Sequence, residues 1–494
     1  MKIRFFGTVT SLRRMCSHHA ARPAGPTGTP ASGPSGRVPG TGAGRSMSTS
    51  HQGERMSSGT PAQGGSGTAT ADANESPATS GGIASPVTAC RSCGGAAPRL
   101  FLSLGSTPIA NRLVRADALD ATDPSFPLEV GFCESCALVQ LTHELPASEI
   151  FDEDYPYFSS FSDMLVRHAE KHVIDLIASR NLGPDSLVVE VASNDGYLLK
   201  AFVERGIPVL GIEPTPGPAA AAREAGVPTR EEFFGADLAR QLVAEGLRAD
   251  VIIANNVMAH VPDLNSFVEG FSILLADGGL VDVENPGVGA LLAHTEFDTV
   301  YHEHFCYFST IAVDALMRRH GLALVGVQEF PELHGGTLRW SMQHAATAQP
   351  AESVAAVLDA ERAAGLDSFA RYATFGDDVR TVQEELIALL RSLRAEGKTV
   401  AAYGAAAKGA TLLNSSGITT DLIDFVVDRN VHKQGKYIPG ARLPILDPAV
   451  LLERQPDYLL LLAWNVKKEI IAQQAEYAAR GGSFIVPVPR PVVL

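Results

Sequence analysis

One short segment concentrates side chains that could move protons. Tyr301, His302, Glu303 and His304 follow an apolar stretch, and His260 follows another one earlier in the chain. The spacing is not H-E-x-x-H, so the segment is not that zinc motif. Two imidazoles, a carboxylate and a tyrosyl hydroxyl at one sheet edge would suit abstraction of a proton next to a carbonyl. An isolated segment of this composition would instead predict a solvated loop, so the interpretation depends on its position after a strand.

The elements that would form this edge begin with a strand, a polar turn and a helix. Residues 187–191 are a β-branched apolar run typical of a buried parallel strand, and residues 197–203 have helical spacing. This order predicts the opening unit of a doubly wound α/β fold, in which ligands bind over the turn. The candidate ligand-binding residues here are Glu190, Ser193, Asn194, Asp195 and Gly196.

The chemistry of this turn favours a cationic cofactor. The dinucleotide pattern G-x-G-x-x-G is missing, which disfavours a nicotinamide enzyme, and the acids suit S-adenosylmethionine, which carries a sulfonium and an ammonium. Glu213 ends a second strand at 209–214, where it could bind ribose hydroxyls. Asn255 and Asn256 end a third strand that begins at 250. The alternative is an ordinary α/β core whose strands end in polar residues.

Four of the six cysteines form two C-x-x-C pairs. They are Cys90, Cys93, Cys133 and Cys136. Without a clear secretion signal, such pairs indicate a metal site and not disulfides, and four sulfurs predict a closed tetrahedral structural zinc. The alternative is four buried free thiols.

Charge separates the beginning of the chain from the rest. Residues 1–86 contain eight Lys or Arg and three Asp or Glu, and the whole chain of 494 residues has a net charge of −15. The segment is rich in Gly, Pro, Ser and Ala, which predicts a disordered extension. The acidic remainder argues against nucleic-acid binding, and no apolar run reaches transmembrane length. We therefore expect a cytoplasmic protein with a small-molecule substrate, and the oligomeric state stays open.

A second α/β unit begins near residue 399. A strand is expected at 399–404, a turn at 405–409 and a helix starting at 410, with further strands at 421–428, 458–463 and 483–487. Small residues before a helix, with Lys408 beside them, predict a phosphate site. The alternative is a tightly packed strand–helix turn. Helices are expected at 163–179, 264–275 and within 351–398.

With these motifs in place, the chain resembles the sugar C-methyltransferases that act on nucleotide-linked 4-keto deoxysugars in antibiotic pathways. The resemblance covers roughly residues 87–494. It rests on the two C-x-x-C pairs and on Glu190-Val-Ala-Ser-Asn-Asp-Gly196, Gly211-Ile-Glu-Pro-Thr215, Asn255-Asn-Val-Met-Ala-His260, Tyr301-His-Glu-His304, Tyr403-Gly-Ala-Ala-Ala-Lys-Gly409 and Lys433-Gln-Gly435.

The resemblance implies the fold class and its division. It implies an α/β protein in which a class I methyltransferase Rossmann-like domain follows a small zinc-binding module and precedes a second Rossmann-like domain. We expect the extension at 1–86, the zinc-binding module at 87–150, the S-adenosylmethionine-binding domain at 151–350 and the nucleotide-sugar-binding domain at 351–494.

The resemblance also implies roles for individual residues. His304 resembles the general base, which would take the proton next to the C4 ketone. Tyr155 or His260 would donate to the enolate oxygen, Glu303 would orient the sugar or the base, and Tyr301 would line the pocket. On the substrate side the C-terminal candidates are Gly404, Lys408 and Lys433.

Two other functions stay open from the sequence. An O- or N-methyltransferase on a related sugar would need a base but no ketone. A non-catalytic, zinc-stabilised nucleotide-sugar-binding protein would need no base, and the intact 301–304 segment argues against it.

Overall fold

The computed structural model describes residues 84–146, 150, 159–333 and 335–494. These residues belong to one compact unit, Ser76–Leu494. Tyr155 and nearly all of the expected extension at 1–86 lie outside the described residues. The last residues of that extension are an exception, because Ser85–Pro86 pair with His143–Glu144, so 86 is too late as the end of a disordered segment.

The part that carries the cysteine pairs is an antiparallel β structure. Its four-stranded sheet has the order β11-β4-β3-β2, and β1 and β5 form a two-stranded ribbon. Strand β11 comes from a later part of the chain, so this sheet is completed by the segment next to His304. The elements are β1 (Ser85–Pro86), β2 (Arg99–Pro108), a 3-10 helix (Ala116–Ala118), β3 (Ser125–Phe132), β4 (Val139–Leu141), β5 (His143–Glu144) and β11 (Cys306–Tyr307).

A seven-stranded sheet forms the centre of the unit, in the order β12-β13-β10-β9-β6-β7-β8. Its strands are β6 (Val188–Val191), β7 (Val209–Ile212), β8 (Thr229–Arg230), β9 (Ala249–Asn255), β10 (Leu275–Pro286), β12 (Leu322–Phe330) and β13 (Thr337–His344). Its helices are α1 (Asp163–Arg180), α2 (Leu199–Val203), α3 (Pro216–Glu224), α4 (Ala236–Ala244), α5 (Leu264–Leu274), α6 (Val288–Ala293) and α7 (Thr310–Arg319), with 3-10 turns at Ser159–Phe161, Met258–His260 and Phe297–Thr299.

The order of this sheet places the ligand site. Strands β8, β7, β6, β9 and β10 are parallel, whereas β13 runs antiparallel between β10 and β12. The apolar residues of β6 are buried, as expected for a strand covered on both faces. The chain order reverses at β6, and ligands bind at the carboxyl ends of the strands at such a switch point. This arrangement confirms the predicted class I methyltransferase fold.

Buried hydrogen bonds between histidines and carboxylates fasten α1 to the central sheet. His168 Nε2 lies 3.0 Å from Glu284 Oε2, and His172 Nε2 lies 3.1 Å from Asp282 Oδ2. Arg339 on β13 contacts the same Glu284 carboxylate. Burial lowers the pKa of His172 to about 3, so its ring is neutral and acts as a hydrogen-bond partner at neutral pH. The pairs hold the start of α1 over the carboxyl edge of the sheet.

A six-stranded sheet with the order β16-β15-β14-β17-β18-β19 forms the C-terminal part, and only β19 is antiparallel to its neighbour. Its strands are β14 (Val400–Tyr403), β15 (Val426–Val427), β16 (Ile445–Leu446), β17 (Tyr458–Leu461), β18 (Ser483–Val486) and β19 (Val492–Val493). Its helices are α8 (Glu352–Ala363), α9 (Phe369–Tyr372), α10 (Phe375–Ala395), α11 (Ala407–Ser415), α12 (Val450–Arg454), α13 (Lys467–Gln473) and α14 (Ala475–Ala479), with a 3-10 turn at Trp464–Val466.

Two expected boundaries in this part were wrong. Helix α11 begins at Ala407 and not at 410. Alanine favours the helical conformation, and neither Lys408 nor Gly409 prevents the helix from starting before Ala410. Lys408 therefore lies in the first helical turn. The strand expected at 421–428 contains only Val426–Val427, since Leu422 turns back to hydrogen-bond the Thr419 carbonyl. None of the helices within the described ranges combines the length and the apolar character that crossing a membrane requires.

The cap of α7 gives a test of how the parts are joined. The Glu361 carboxylate on α8 accepts hydrogen bonds from the Thr310 and Ile311 amides at 2.8 and 2.9 Å. We expect Glu361→Ala to cost about 1–3 kcal/mol, because two buried amides lose their acceptor. The measurement is the midpoint of thermal unfolding, with Glu352→Ala, at an exposed position on the same helix, as the control. Equal midpoints for the two variants would contradict the assigned cap.

Candidate active site

The four cysteines converge as the sequence predicted. Their sulfur atoms all lie within 4.8 Å of one another, with Cys90 to Cys136 and Cys93 to Cys133 at 3.6 Å. Zinc–sulfur bonds of about 2.3 Å in a tetrahedron place the sulfurs roughly 3.8 Å apart. The cluster therefore fits zinc, and four protein ligands leave no position for a substrate, so the metal is structural.

The two cysteine pairs have the same backbone turn. The Gly94 amide bonds the Cys90 carbonyl and the Ala137 amide bonds the Cys133 carbonyl, both at 2.9 Å. The residue after each second cysteine is left-handed, with φ +68° at Gly94 and +60° at Ala137. Gln140 Nε2 donates to Cys90 Sγ at 3.1 Å, an outer contact of the kind that orients a metal ligand.

The turn after β6 is shaped by its neighbours. The backbone N–H of Asn194 donates to Glu213 Oε2, and the backbone N–H of Thr215 donates to Glu213 Oε1, both at 2.9 Å. The segment before α1 closes over the turn, because the Ser159 amide bonds Asn194 Oδ1 and the Ser160 amide bonds Asp195 Oδ2. The turns after β6 and β7 and the segment before α1 thus meet at the carboxyl edge of the sheet, where the switch point predicts a ligand crevice.

Several buried oxygens in this crevice have no hydrogen-bond partner among the described residues. They belong to Glu190, Ser193, Asp195 and Asn255. Burial, reinforced by the charges of Asp195 and Glu213, raises the pKa of Glu190 well above its usual range. Burial also raises the pKa of Glu213. Unpaired acceptors and crowded acids fit a ligand that brings donors and positive charge, as S-adenosylmethionine does.

Two backbone positions let this crevice form. Gly196 has φ +76°, and a Cβ there would lie 3.0 Å from Val227 Cγ2. Asn256 is left-handed, with φ +54°, and its amide bonds the Glu284 carbonyl at 2.7 Å. Both residues lie in the turns that follow β6 and β9 at the carboxyl edge of the sheet.

The His304 imidazole is held in one tautomer. Its Nδ1 lies 2.9 Å from the Thr299 carbonyl oxygen, which can only accept, so Nδ1 carries the proton. Its Nε2 lies 2.7 Å from the Tyr301 hydroxyl, which donates to it. The lone pair needed for a general base is therefore on Nε2, where it accepts from the Tyr301 hydroxyl.

His260 joins this pair. Its ring centroid lies 4.6 Å from that of His304, in an edge-to-face arrangement. Burial lowers the pKa of His260 to about 4, opposed by a hydrogen bond to the Glu303 main chain, so the ring is neutral at pH 7. The two imidazoles predicted to converge do so. Tyr155, the other predicted donor to the substrate oxygen, lies outside the described residues.

The Glu303 carboxylate is buried and bound by a residue that the sequence analysis missed. Asn111 Nδ2 lies 2.9 Å from Oε1 and 2.8 Å from Oε2. Asn111 follows β2 in the zinc-binding part of the chain, so a residue from another sheet reaches the segment 301–304. Neither Asn111 nor Thr299 stands in a recognisable motif. Asn111 lies 192 residues from Glu303 in the sequence, so no local pattern could have indicated their contact.

The three C-terminal candidates have different surroundings. Burial lowers the pKa of Lys433, while the charges of Asp428 and Glu303 raise it, and its Nζ donates to the Ala405 carbonyl at 2.8 Å. Lys408 Nζ lies 4.4 Å from the Trp464 ring centroid. Gly404 has φ +97° and packs closely on Ala463. Lys433 thus belongs to the surroundings of Glu303, whereas Lys408 contacts the ring of Trp464.

Buried acids also surround Lys408. Its positive charge lowers the pKa of Glu296 and Asp298, although burial raises both by more. The Trp464 indole donates to Asp298 Oδ2 at 2.6 Å. An anionic ligand at Lys408 would therefore compete with two carboxylates of the central domain.

Comparison with known proteins matches three successive family models. They are "Putative zinc binding domain" at 90–151, "Methyltransferase domain" at 165–327 and "C-methyltransferase C-terminal domain" at 332–489. The chain is 37% identical over 414 residues to the C-methyltransferase NovU of Streptomyces niveus, covering 83% of this chain and 98% of that protein.

Two further similar proteins cover a smaller share of the chain. A ubiquinone biosynthesis O-methyltransferase of Methylobacterium is 33% identical over 20% of this chain and 42% of its own length. Among solved structures, magnesium protoporphyrin IX methyltransferase of Synechocystis aligns with 36% of this chain and 81% of its own, at 12% identity and a TM-score of 0.29.

The zinc cluster gives the first prediction from this site. Purified protein should contain about one zinc per chain, and Cys93→Ser should lower both the zinc content and the midpoint of thermal unfolding, because structural zinc contributes directly to folding free energy. Metal analysis and thermal unfolding measure the two effects. Cys306→Ser, at a buried cysteine outside the cluster, is the control for zinc content. Active protein without zinc would contradict this assignment.

A second prediction concerns the cofactor crevice. Glu213→Ala removes a buried carboxylate and frees the Asn194 and Thr215 amides, so S-adenosylmethionine affinity should fall about tenfold or more, the effect of ~1.4 kcal/mol. Titration calorimetry measures the affinity, and Glu224→Ala, at an exposed position on α3, is the control. Undiminished affinity in a folded Glu213→Ala variant would place the cofactor elsewhere.

Proposed function

The chain belongs to the S-adenosylmethionine-dependent C-methyltransferases, and from this premise we propose that it methylates the carbon next to the ketone of a nucleotide-linked 4-keto deoxysugar. Thymidine diphosphate is the proposed nucleotide, and antibiotic deoxysugar biosynthesis is the proposed setting. The match to a C-methyltransferase over most of both chains supports carbon as the acceptor. The motifs shared with the sugar-modifying members support the keto sugar.

The fixed tautomer of His304 is the observation that carries the mechanism. A carbon next to a ketone is a poor nucleophile until it loses a proton, so the enzyme needs a positioned base. With Nδ1 donating to the Thr299 carbonyl, Nε2 is the ring atom that takes the proton. The imidazolium formed keeps the same Nδ1 hydrogen bond, so the base does not have to reorient during the step.

Tyr301 and His260 define the space in front of this base. The Tyr301 hydroxyl hydrogen-bonds the Nε2 lone pair. It would have to leave this position when the C–H bond of the sugar approaches Nε2. His260 or Tyr155 then donates to the enolate oxygen. Donors of this kind contribute about 2.7–4 kcal/mol each in comparable oxyanion sites. His260 would do so as a neutral imidazole.

The remaining predicted residues hold the two ligands. S-adenosylmethionine supplies a methyl group on a sulfonium when it is bound, and Glu213, Asp195 and Asn255 would hold it over the switch point. Glu303 would orient a sugar hydroxyl.

On the nucleotide side we retain Gly404, Lys408 and Lys433, within the proposed C-terminal domain at 351–494. We also retain 87–150 and 151–350 as the proposed zinc-binding and methyltransferase domains. Cysteines that bind zinc as thiolates are typical of a reducing compartment, which supports a cytoplasmic location.

The direct test uses purified protein, S-adenosylmethionine and a panel of thymidine-diphosphate keto sugars. Mass spectrometry should detect one added methyl group, and NMR should place it on the carbon next to the ketone. A methyl group on oxygen or nitrogen would contradict the enolate mechanism, and binding without transfer would support a binding protein.

The base gives the prediction of this subsection. We expect His304→Ala and His304→Asn to bind both ligands but to lose methylation by ~10²–10⁴-fold, the usual cost of removing a general base. Wild-type protein should also exchange the sugar proton for deuterium without the methyl donor, and the His304 variants should not. Glu303→Gln and Tyr301→Phe should be impaired only in part.

The matched control is His344→Ala. His344 contacts the Leu275 carbonyl at the start of β10, the opposite edge of the central sheet from the site. Its variant should methylate like the wild type. Near-normal turnover by His304→Ala would transfer the role of base to His260 or Tyr301.

A further inference from the structure

A single amide nitrogen from the zinc-binding sheet contacts both oxygens of the carboxylate in the catalytic segment. Asn111 Nδ2 is almost equidistant from Glu303 Oε1 and Oε2, at 2.9 and 2.8 Å. A donor shared between both oxygens fixes the plane of the carboxylate as well as its position. Glu303 is only 1% exposed, so this contact lies in the interior and not at a solvated surface.

The loop that carries Asn111 is itself held on two sides. The Leu113 amide bonds the Asn111 carbonyl at 2.9 Å, which tightens the turn after β2. Val114 exchanges backbone hydrogen bonds with Tyr437, in both directions, at 2.9 and 2.8 Å. The side chain of Asn111 is therefore presented by a backbone clamped between the zinc-binding sheet and the C-terminal part.

Lys433 places a positive charge near this carboxylate. The residue is partly buried, and the charge of Glu303 acts to raise the lysine pKa. A buried carboxylate without donors or a counterion would cost several kcal/mol. Asn111 supplies the donors and Lys433 the charge, each from a different part of the fold.

We propose that Asn111 is a positioning residue of the reaction, which fixes the Glu303 carboxylate so that it accepts from a hydroxyl of the sugar beside the His304 base. The inference rests on the proposed function, because it assigns a task to Glu303 in that reaction. It gives the zinc-binding module a share in the active site, in addition to its own fold.

The test exchanges the two partners. Asn111→Asp places a second carboxylate against Glu303, and the two can share one proton only below the raised pKa of the pair. Above that pKa, turnover relative to the wild type should fall about 10²-fold, the scale expected for a misplaced group. The loss should be mainly in kcat, and the ratio of variant to wild-type kcat should recover as the pH is lowered through that pKa. Combining Asn111→Asp with Glu303→Gln restores an amide–carboxylate pair with the two groups exchanged. The double variant should therefore have a higher kcat than Asn111→Asp above that pKa.

A matched control separates this role from general docking. Asn265 also joins the zinc-binding part to the central domain, with its Nδ2 2.8 Å from the Arg91 carbonyl and its Oδ1 2.9 Å from His320 Nε2. Asn265→Asp should show no comparable pH-dependent loss of kcat. Zinc content and the unfolding midpoint are measured for every variant.

The outcomes distinguish the two proposals. Asn111→Asp with wild-type kcat at all pH values, or a double variant no better than Asn111→Asp alone, would overturn the role of Asn111. If the wild type methylates none of the keto sugars, the proposed function fails. The contact is then still tested by stability. The unfolding midpoint of Asn111→Asp should fall as the pH rises through the raised pKa of the carboxylate pair, and that of the double variant should not. Identical pH dependence in both would overturn the inference.

Discussion

Buried carboxylates beside the catalytic segment are the constraint on which the arrangement of this protein depends. Glu303 is 1% exposed and Asp298 is 0% exposed, and both follow the carboxyl end of the central sheet. An ionised carboxylate is tolerated in such a place only when donors reach it. Those donors come from other parts of the fold, because Asn111 of the zinc-binding sheet reaches Glu303 and Trp464 of the C-terminal part reaches Asp298. Satisfying these acids therefore requires both flanking parts to pack against the central domain.

The same physical rule gives the opposite result at the cofactor crevice. Glu190 and Asp195 each have a buried oxygen that no described residue satisfies, and neighbouring acids raise the pKa of Glu190 together with burial. Acids that are paired within the protein hold its parts together, whereas acids left unpaired favour a cationic ligand. Glu303, whose two oxygens both contact Asn111, is the paired case, and Glu190 is the unpaired one. Asp298 and Asp195 are intermediate, because each has one oxygen bound and one buried oxygen without a partner among the described residues.

Local patterns predicted the elements, and distant contacts decided the details of the site. The strand and turn around Glu190 and the cysteine pairs were predictable, because each depends on residues a few positions apart. The pairing of Tyr301 with His304 is also local, three residues apart. By contrast, nothing near Asn111 in sequence indicates Glu303. Lys408 illustrates the same limit. Its sequence context predicted a phosphate site, but its surroundings include Trp464 from a later turn and acids of the central domain.

The segment that carries the base explains why three parts are needed for one proton transfer. Its beginning, the 3-10 turn Phe297–Thr299, packs on α11 of the C-terminal part and supplies the carbonyl that fixes His304. Its end, Cys306–Tyr307, forms a strand of the zinc-binding sheet. The base thus lies in a stretch of chain whose two ends are held by different parts of the protein. Removing a proton from carbon demands accurate placement, since an error of about 1 Å can cost ~10²-fold in rate. A loop attached only to the central sheet would leave His304 freer to move, and docking both ends restricts that freedom before the substrate arrives.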